Sequence, residues 1–281
     1  MRRKIISTLL ISMLLVLSSM SFNVFAKAIV AKADLEREKR MAVEVEDAVL
    51  DGEVIFLEDT ANEGHAFMAI DMEAEAEESD KSDKGEKGAV IILHGRGFHP
   101  NWEDAIYPLR TQLPASGWRT LSLQMPVLEK SAKYYDYVPL FSQAAARIDM
   151  GITYLKQQGV KKIVILAHSC GAHMAMDWVR NQKGLLDESV IGYIGAGMGA
   201  TDYKQKMAEP FPLAEMKVPV LDIYGDKDYP AVLRMAEGRL TDIKMAGNPK
   251  SAHVIVPGAD HYFKGKGDEV TTAVATWLNS L

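Results

Sequence analysis

Only one cysteine, Cys170, occurs in the 281 residues, so no disulfide can form within the chain. The seven histidines show no H-E-x-x-H or comparable ligand spacing, so neither a metal nor another cofactor is expected. Long apolar runs are also missing: residues 5–17, the longest near the start, fall short of the ~20 needed for a membrane-spanning helix. Basic charge is not in surplus. With 32 Lys+Arg against 38 Asp+Glu the net charge is −6, which argues against nucleic acid or an anionic membrane as a partner. No internal repeat is visible.

What is present begins with a leader-like segment. Arg2-Arg3-Lys4 precedes the apolar residues 5–17, and Val24-Phe25-Ala26 supplies small residues where a signal peptidase reads. Residues 1–26 are therefore expected to be a cleaved signal peptide, giving a periplasmic or secreted protein. No cysteine near the cleavage point offers a lipid attachment site, so no stable membrane anchor is expected. Residues 27–52 form an N-terminal extension that fits a short helix or an extended entry equally well. Two apolar runs, 53–57 and 65–70, flank Asn62-Glu63-Gly64 and predict a β-hairpin. Residues 71–87 are acidic and nearly devoid of large apolar side chains, the composition of a solvated mobile loop.

From Gly88 onward strands and helices alternate. Strands are expected at 89–93, 118–123, 161–166, 190–196, 218–224 and 252–256. Helices are expected at 104–113, 139–158, 229–240 and 269–281, with another just after Ser169. Such alternation implies βαβ units, a mostly parallel sheet and helices on both faces: an α/β domain spanning 53–281.

The strand at 161–166 runs into Ala167-His168-Ser169-Cys170-Gly171 and then a helical stretch. A buried strand, a turn of small residues around one serine, and a helix together form the context of a nucleophile elbow. A serine there also serves as a plain N-cap, so the rest of the chain must decide. Sites in open α/β sheets gather at the carboxyl ends of strands. Gly225-Asp226-Lys227-Asp228 and Ala259-Asp260-His261 follow later strands, in the order such an enzyme needs. Ser169 is then the candidate nucleophile, and His261 the base that takes its proton and returns it to the leaving group. Asp228 is the acid that orients the imidazole. Asp226 is read as a turn cap, while Asp260 is poorly aimed at its neighbour's ring. The Cys170 N–H at the helix start is one candidate oxyanion donor. The other is the N–H of Arg96, or of Gly97, in the loop Leu93-His94-Gly95-Arg96-Gly97-Phe98. Loop 127–138, with Tyr134, Tyr135 and Tyr137, offers a pocket wall, and Tyr135 is the candidate substrate contact. The Arg96 side chain is a candidate for holding an anionic substrate group, or for an ordinary salt bridge.

These segments resemble the α/β-hydrolases, with Ala167 standing where the pattern prefers glycine and Asp260 where a small residue is usual. Residues 93–102 with 117–123 are similar to an uncharacterised family of exported bacterial α/β-hydrolase-like proteins. The resemblance implies an eight-stranded core and a cofactor-free serine hydrolase. Its most direct form is a carboxylesterase acting on a small-molecule ester or acyl substrate through an acyl-enzyme. Peptidase or amidase chemistry, or a catalytically idle cell-envelope binding protein on the same fold, are the alternatives. The stretch between the strands at 190–196 and 218–224 is too short for a substantial lid.

Overall fold

A computed structural model describes residues 32–75, 87–182 and 187–281, which belong to one compact unit, Ala31–Leu281. The expected signal segment 1–26, and residues 76–86 of the expected mobile loop, lie outside the described residues.

The central strands are buried on both faces of the sheet, and most of them are nearly continuous apolar runs. They are β3 (Gly88–Leu93), β4 (Trp118–Leu123), β5 (Ile163–His168), β6 (Val190–Ala196) and β7 (Val220–Gly225). With the antiparallel hairpin β1 (Glu53–Glu58) and β2 (Ala66–Met72), and the edge strand β8 (Ala252–Val256), they form one eight-stranded sheet in the order β1-β2-β4-β3-β5-β6-β7-β8. β2 meets β4 antiparallel, and every pairing from β4 to β8 is parallel.

Alternate strand residues feed two cores. Ile91, Leu93, Ile165 and Ala167 pack against α4 (Phe141–Gln157) and α5 (Cys170–Asn181) through Ile148, Ile152, Met174 and Trp178. Val90, Ile92, Val164 and Leu166 pack on the other face against α2 (Tyr107–Gln112) and α7 (Gly267–Leu278) through Leu109, Val270, Val274 and Trp277. The remaining helices are α1 (Leu35–Glu46), the single turn α3 (Tyr134–Tyr137) and α6 (Pro230–Ala246).

Several boundaries differ from the sequence expectation, among them the end of α6, at residue 246 and not 240. The described part of the extension 27–52 is integral to the domain: α1, capped by Asp34, buries Val45 against Met68 and Ile70 of the hairpin. At the start of the segment 71–87, expected to be mobile, Asp71 and Met72 instead belong to β2, and Asp71 is buried, accepting from Arg119 and Tyr154. The helix expected from 104 begins only at Tyr107, since residues 99–106 turn tightly and both Ile106 and Tyr107 donate their N–H to the Trp102 carbonyl. Between β6 and β7 the chain forms only the short turn Leu213–Glu215, without a lid helix.

Candidate active site

The turn after β5 is held in a conformation few residues adopt. Ser169 has φ 55° and ψ −117°, positive φ at a non-glycine residue. Such a backbone costs roughly 1–3 kcal/mol, supplied by the surrounding structure. Here the Ser169 N–H donates to the Ala196 carbonyl at 2.9 Å, and the Ala172 N–H to the Ser169 carbonyl at 3.0 Å. A Cβ on Gly171 would stand 2.6 Å from the His94 carbonyl oxygen, so the tight turn demands glycine there. Ala167 needs no such exception: it lies within β5, fully buried in the α4–α5 core.

The loops after β7 and β8 are stitched together by backbone and by Asp226. The Lys227 N–H donates to the Ala259 carbonyl at 3.0 Å, and the Gly258 N–H to Asp226 Oδ1 at 2.7 Å. Asp226 thus ties the two loops together, where its sequence position suggests a cap of its own turn. Asp260 bonds locally, accepting from the Tyr262 and Lys264 N–H groups, which keeps it off the His261 ring. This framework brings Asp228 Oδ1 to 2.6 Å from His261 Nδ1, and His261 Nε2 to 2.8 Å from Ser169 Oγ. A carboxylate only accepts, so Nδ1 carries the proton and Nε2 is left to accept from the serine hydroxyl. His261 and Asp228 are buried, while Ser169 remains partly open to the cleft.

Several supports escaped the sequence reading. Gly197, with φ +60°, lies against the pair: a Cβ there would come to 3.0 Å from His261 Cε1 and 3.3 Å from Asp228 Oδ2. The signal was a glycine just past the carboxyl end of β6, but nothing local says what approaches it. His168, the residue before the serine, bonds the His261 carbonyl through Nε2 at 2.8 Å. Burial pushes its pKa down to about 3, so the ring is neutral, and a carbonyl can only accept; Nε2 must carry the hydrogen. The Tyr229 ring stacks on His261 at 4.2 Å between centroids, and its hydroxyl meets that of Tyr262 at 2.6 Å.

A cleft of about 220 Å³ opens over Ser169, walled by Arg96, Gly97, Phe98, Tyr134, Tyr137 and Tyr229. Cys170 heads α5 beside it, and the first N–H groups of a helix have no intrahelical acceptor. Burial raises its thiol to about 12, so the sulfur is inert packing. The loop 94–98 runs alongside: a Cβ on Gly95 would stand 3.2 Å from Ser169 Cβ. Tyr135 is corrected: it does not line this cleft. On the single turn of α3, Tyr134 and Tyr137 share the inward face, while Tyr135 points out and donates to the Lys206 carbonyl at 3.0 Å. The Arg96 side chain lines the cleft but is already engaged by both oxygens of Asp202, at 2.9 and 3.1 Å. The expected anion site on Arg96 is therefore occupied by the protein's own carboxylate. Far from being surface loops, the walls are tied down: the Leu128 N–H donates to Tyr137 Oη at 2.8 Å and the Ala208 N–H to Tyr134 Oη at 3.0 Å.

Strand order, turn and strand-end loops together define the α/β-hydrolase fold. Solved structures similar to this chain include an alpha-beta serine hydrolase homologue from Coxiella burnetii (17% identity, TM-score 0.58, covering 81% of this chain and 98% of that one). Others are the Pyrococcus furiosus esterase Pf2001 (16%, 0.58, 81% and 91%) and Est1E from Butyrivibrio proteoclasticus with ferulic acid bound (15%, 0.60, 80% and 98%). The chain belongs to the family described as "Protein of unknown function (DUF3530)", whose model matches residues 75–139 and 138–254. That span includes Ser169 and Asp228 and stops short of His261. No curated protein matches the sequence significantly.

Proposed function

We propose that this protein is an exported serine hydrolase that cleaves carboxylic esters. The observation that carries the reading is the unbroken hydrogen-bond chain Asp228–His261–Ser169, at 2.6 and 2.8 Å, ending on a serine held at positive φ beside an open cleft. Ser169 Oγ attacks the ester carbonyl while its proton passes to His261 Nε2, and Asp228 stabilises the resulting imidazolium. The oxyanion forms against the N–H groups of Cys170 and Arg96, with that of Gly97 the alternative second donor. Each such donor contributes about 3 kcal/mol in comparable sites. The carbonyl–oxygen bond breaks, the alkoxide takes the proton from Nε2, and an acyl-Ser169 remains. Water, deprotonated by the same nitrogen, then releases the acid and restores the serine.

Ester rather than amide cleavage is favoured by the small cleft and by the character of the similar structures, one a named esterase and one holding ferulic acid. Export fits the basic–apolar–small pattern of residues 1–26. The direct test compares hydrolysis of para-nitrophenyl acetate and para-nitroacetanilide by the purified protein. Turnover of the ester alone supports the esterase assignment, comparable turnover of the anilide contradicts it, and neither in a folded protein favours a binding role. The N-terminal sequence of the exported protein should begin at Lys27.

A further inference from the structure

The cleft at Ser169 continues into a second, larger groove of about 680 Å³, and Arg96, Thr201 and Tyr229 line both. Tyr229 fixes which side of the reaction that groove serves. Its ring covers His261, the group that hands a proton to the departing oxygen, so the space beyond Tyr229 is where the leaving alcohol extends. Met207, Ala231 and Met235 supply apolar lining there.

The charges around this path are one-sided. Lys130 and Lys133 stand at the cleft, and Lys204, Lys206 and Arg234 at the groove. None of these five forms an ion pair among the described residues. Only two carboxylates share the linings. Asp202 is consumed by Arg96 and by the Tyr134 N–H, and Glu129 accepts from the Ser131 hydroxyl. Unpaired cations thus gather at one mouth of a chain whose net charge is −6. A concave surface of one sign raises the local concentration of the opposite charge.

Resting on the hydrolase reading above, we infer that the groove is a subsite for an anionic group carried by the leaving alcohol. The substrates are then short-chain acyl esters of alcohols bearing a carboxylate, sulfate or phosphate. The acyl part is confined to the small cleft, and the alcohol lies along Tyr229 with its anion among Lys204, Lys206 and Arg234.

The test is the ratio of kcat/KM for para-acetoxybenzoate over its neutral analogue para-acetoxybenzamide. At low ionic strength the wild type should prefer the anion by about tenfold. The preference should fall toward unity at about 1 M salt, where charges are screened within about 3 Å. It should also fall in the triple variant Lys204→Gln/Lys206→Gln/Arg234→Gln, and in part in Lys206→Gln and Arg234→Gln alone. A ratio near one in the wild type, or a preference that survives both salt and the substitutions, overturns the inference. Labelling by a neutral fluorophosphonate reads the serine separately. Labelling with a ratio of one sinks the anion subsite alone, whereas absence of labelling sinks the hydrolase reading beneath it.

Discussion

At the scale of single residues, the backbone strain at Ser169 is what the proposed nucleophile requires of its turn. Ser169 occupies a backbone region that glycine enters freely and other residues enter at a cost of roughly 1–3 kcal/mol. Ser169→Gly should therefore raise the unfolding free energy by about 1 kcal/mol in denaturant titrations while reducing ester hydrolysis by at least about 10⁴-fold. Destabilisation by that substitution would mean that the turn is not strained as described. The residues around Ser169, Asp228 and His261 were legible in the sequence because each stands just past a recognisable strand, where side chains are delivered to one edge. Gly197 and the bonding role of His168 were not, because both act on residues brought near only by the sheet. The choice of Tyr135 over its neighbours failed for a related reason: three tyrosines in one helical turn differ only in direction, and the turn's phase is set by packing on α4 and α5.

At the scale of elements, α1 does more than extend the chain. Its Glu38 is buried and accepts from Arg147 of α4 at 2.9 Å, and Arg147 also donates to Asp59 at 2.7 Å and to the Gln124 carbonyl at 2.9 Å. From the same helix, Arg37 donates to the carbonyls of Gly97 and Leu128, bracing the loop beside Ser169 and the cleft wall together. Removing the cation from a buried network leaves carboxylates uncompensated, so Arg147→Met should lower stability by about 3–5 kcal/mol. A chemical-denaturation midpoint near that of the wild type would contradict this. The sequence left 27–52 undecided between helix and extended chain because α1 is largely polar, and its apolar stripe gains meaning only against the hairpin. The strands at 118–123, 190–196 and 252–256 were by contrast read at their observed bounds, since each is a short run rich in apolar and β-branched residues set off by turn residues.

At the scale of the whole molecule, burial of three neutral imidazoles makes the fold acid-sensitive. Burial lowers His94 and His168 to about 3 and His173 to about 4. The unfolded chain takes up protons near the usual histidine value of about 6.5, whereas the folded chain resists until far lower pH. Between those limits the unfolded state binds more protons, so stability falls as pH falls. The contribution of each histidine is complete above about pH 6.5 and declines by about 1.4 kcal/mol per pH unit below it. Thermal melts between pH 7 and 4 should show a steep drop in Tm, and a flat profile would contradict the burial of these rings. All three hold the architecture of the site: His94 accepts from the Met125 N–H, His168 bonds the His261 carbonyl, and His173 the Ala200 carbonyl. Acid is thus expected to remove activity and fold together.

The central claim is that Ser169 is an activated nucleophile. The most direct measurement is intact-protein and peptide mass spectrometry after treatment with a fluorophosphonate, on wild type, Ser169→Ala and His261→Ala. One adduct per chain is expected on the peptide holding Ser169, absent in Ser169→Ala and strongly slowed in His261→Ala. A folded wild type that takes no adduct, or takes it on another residue, would contradict it.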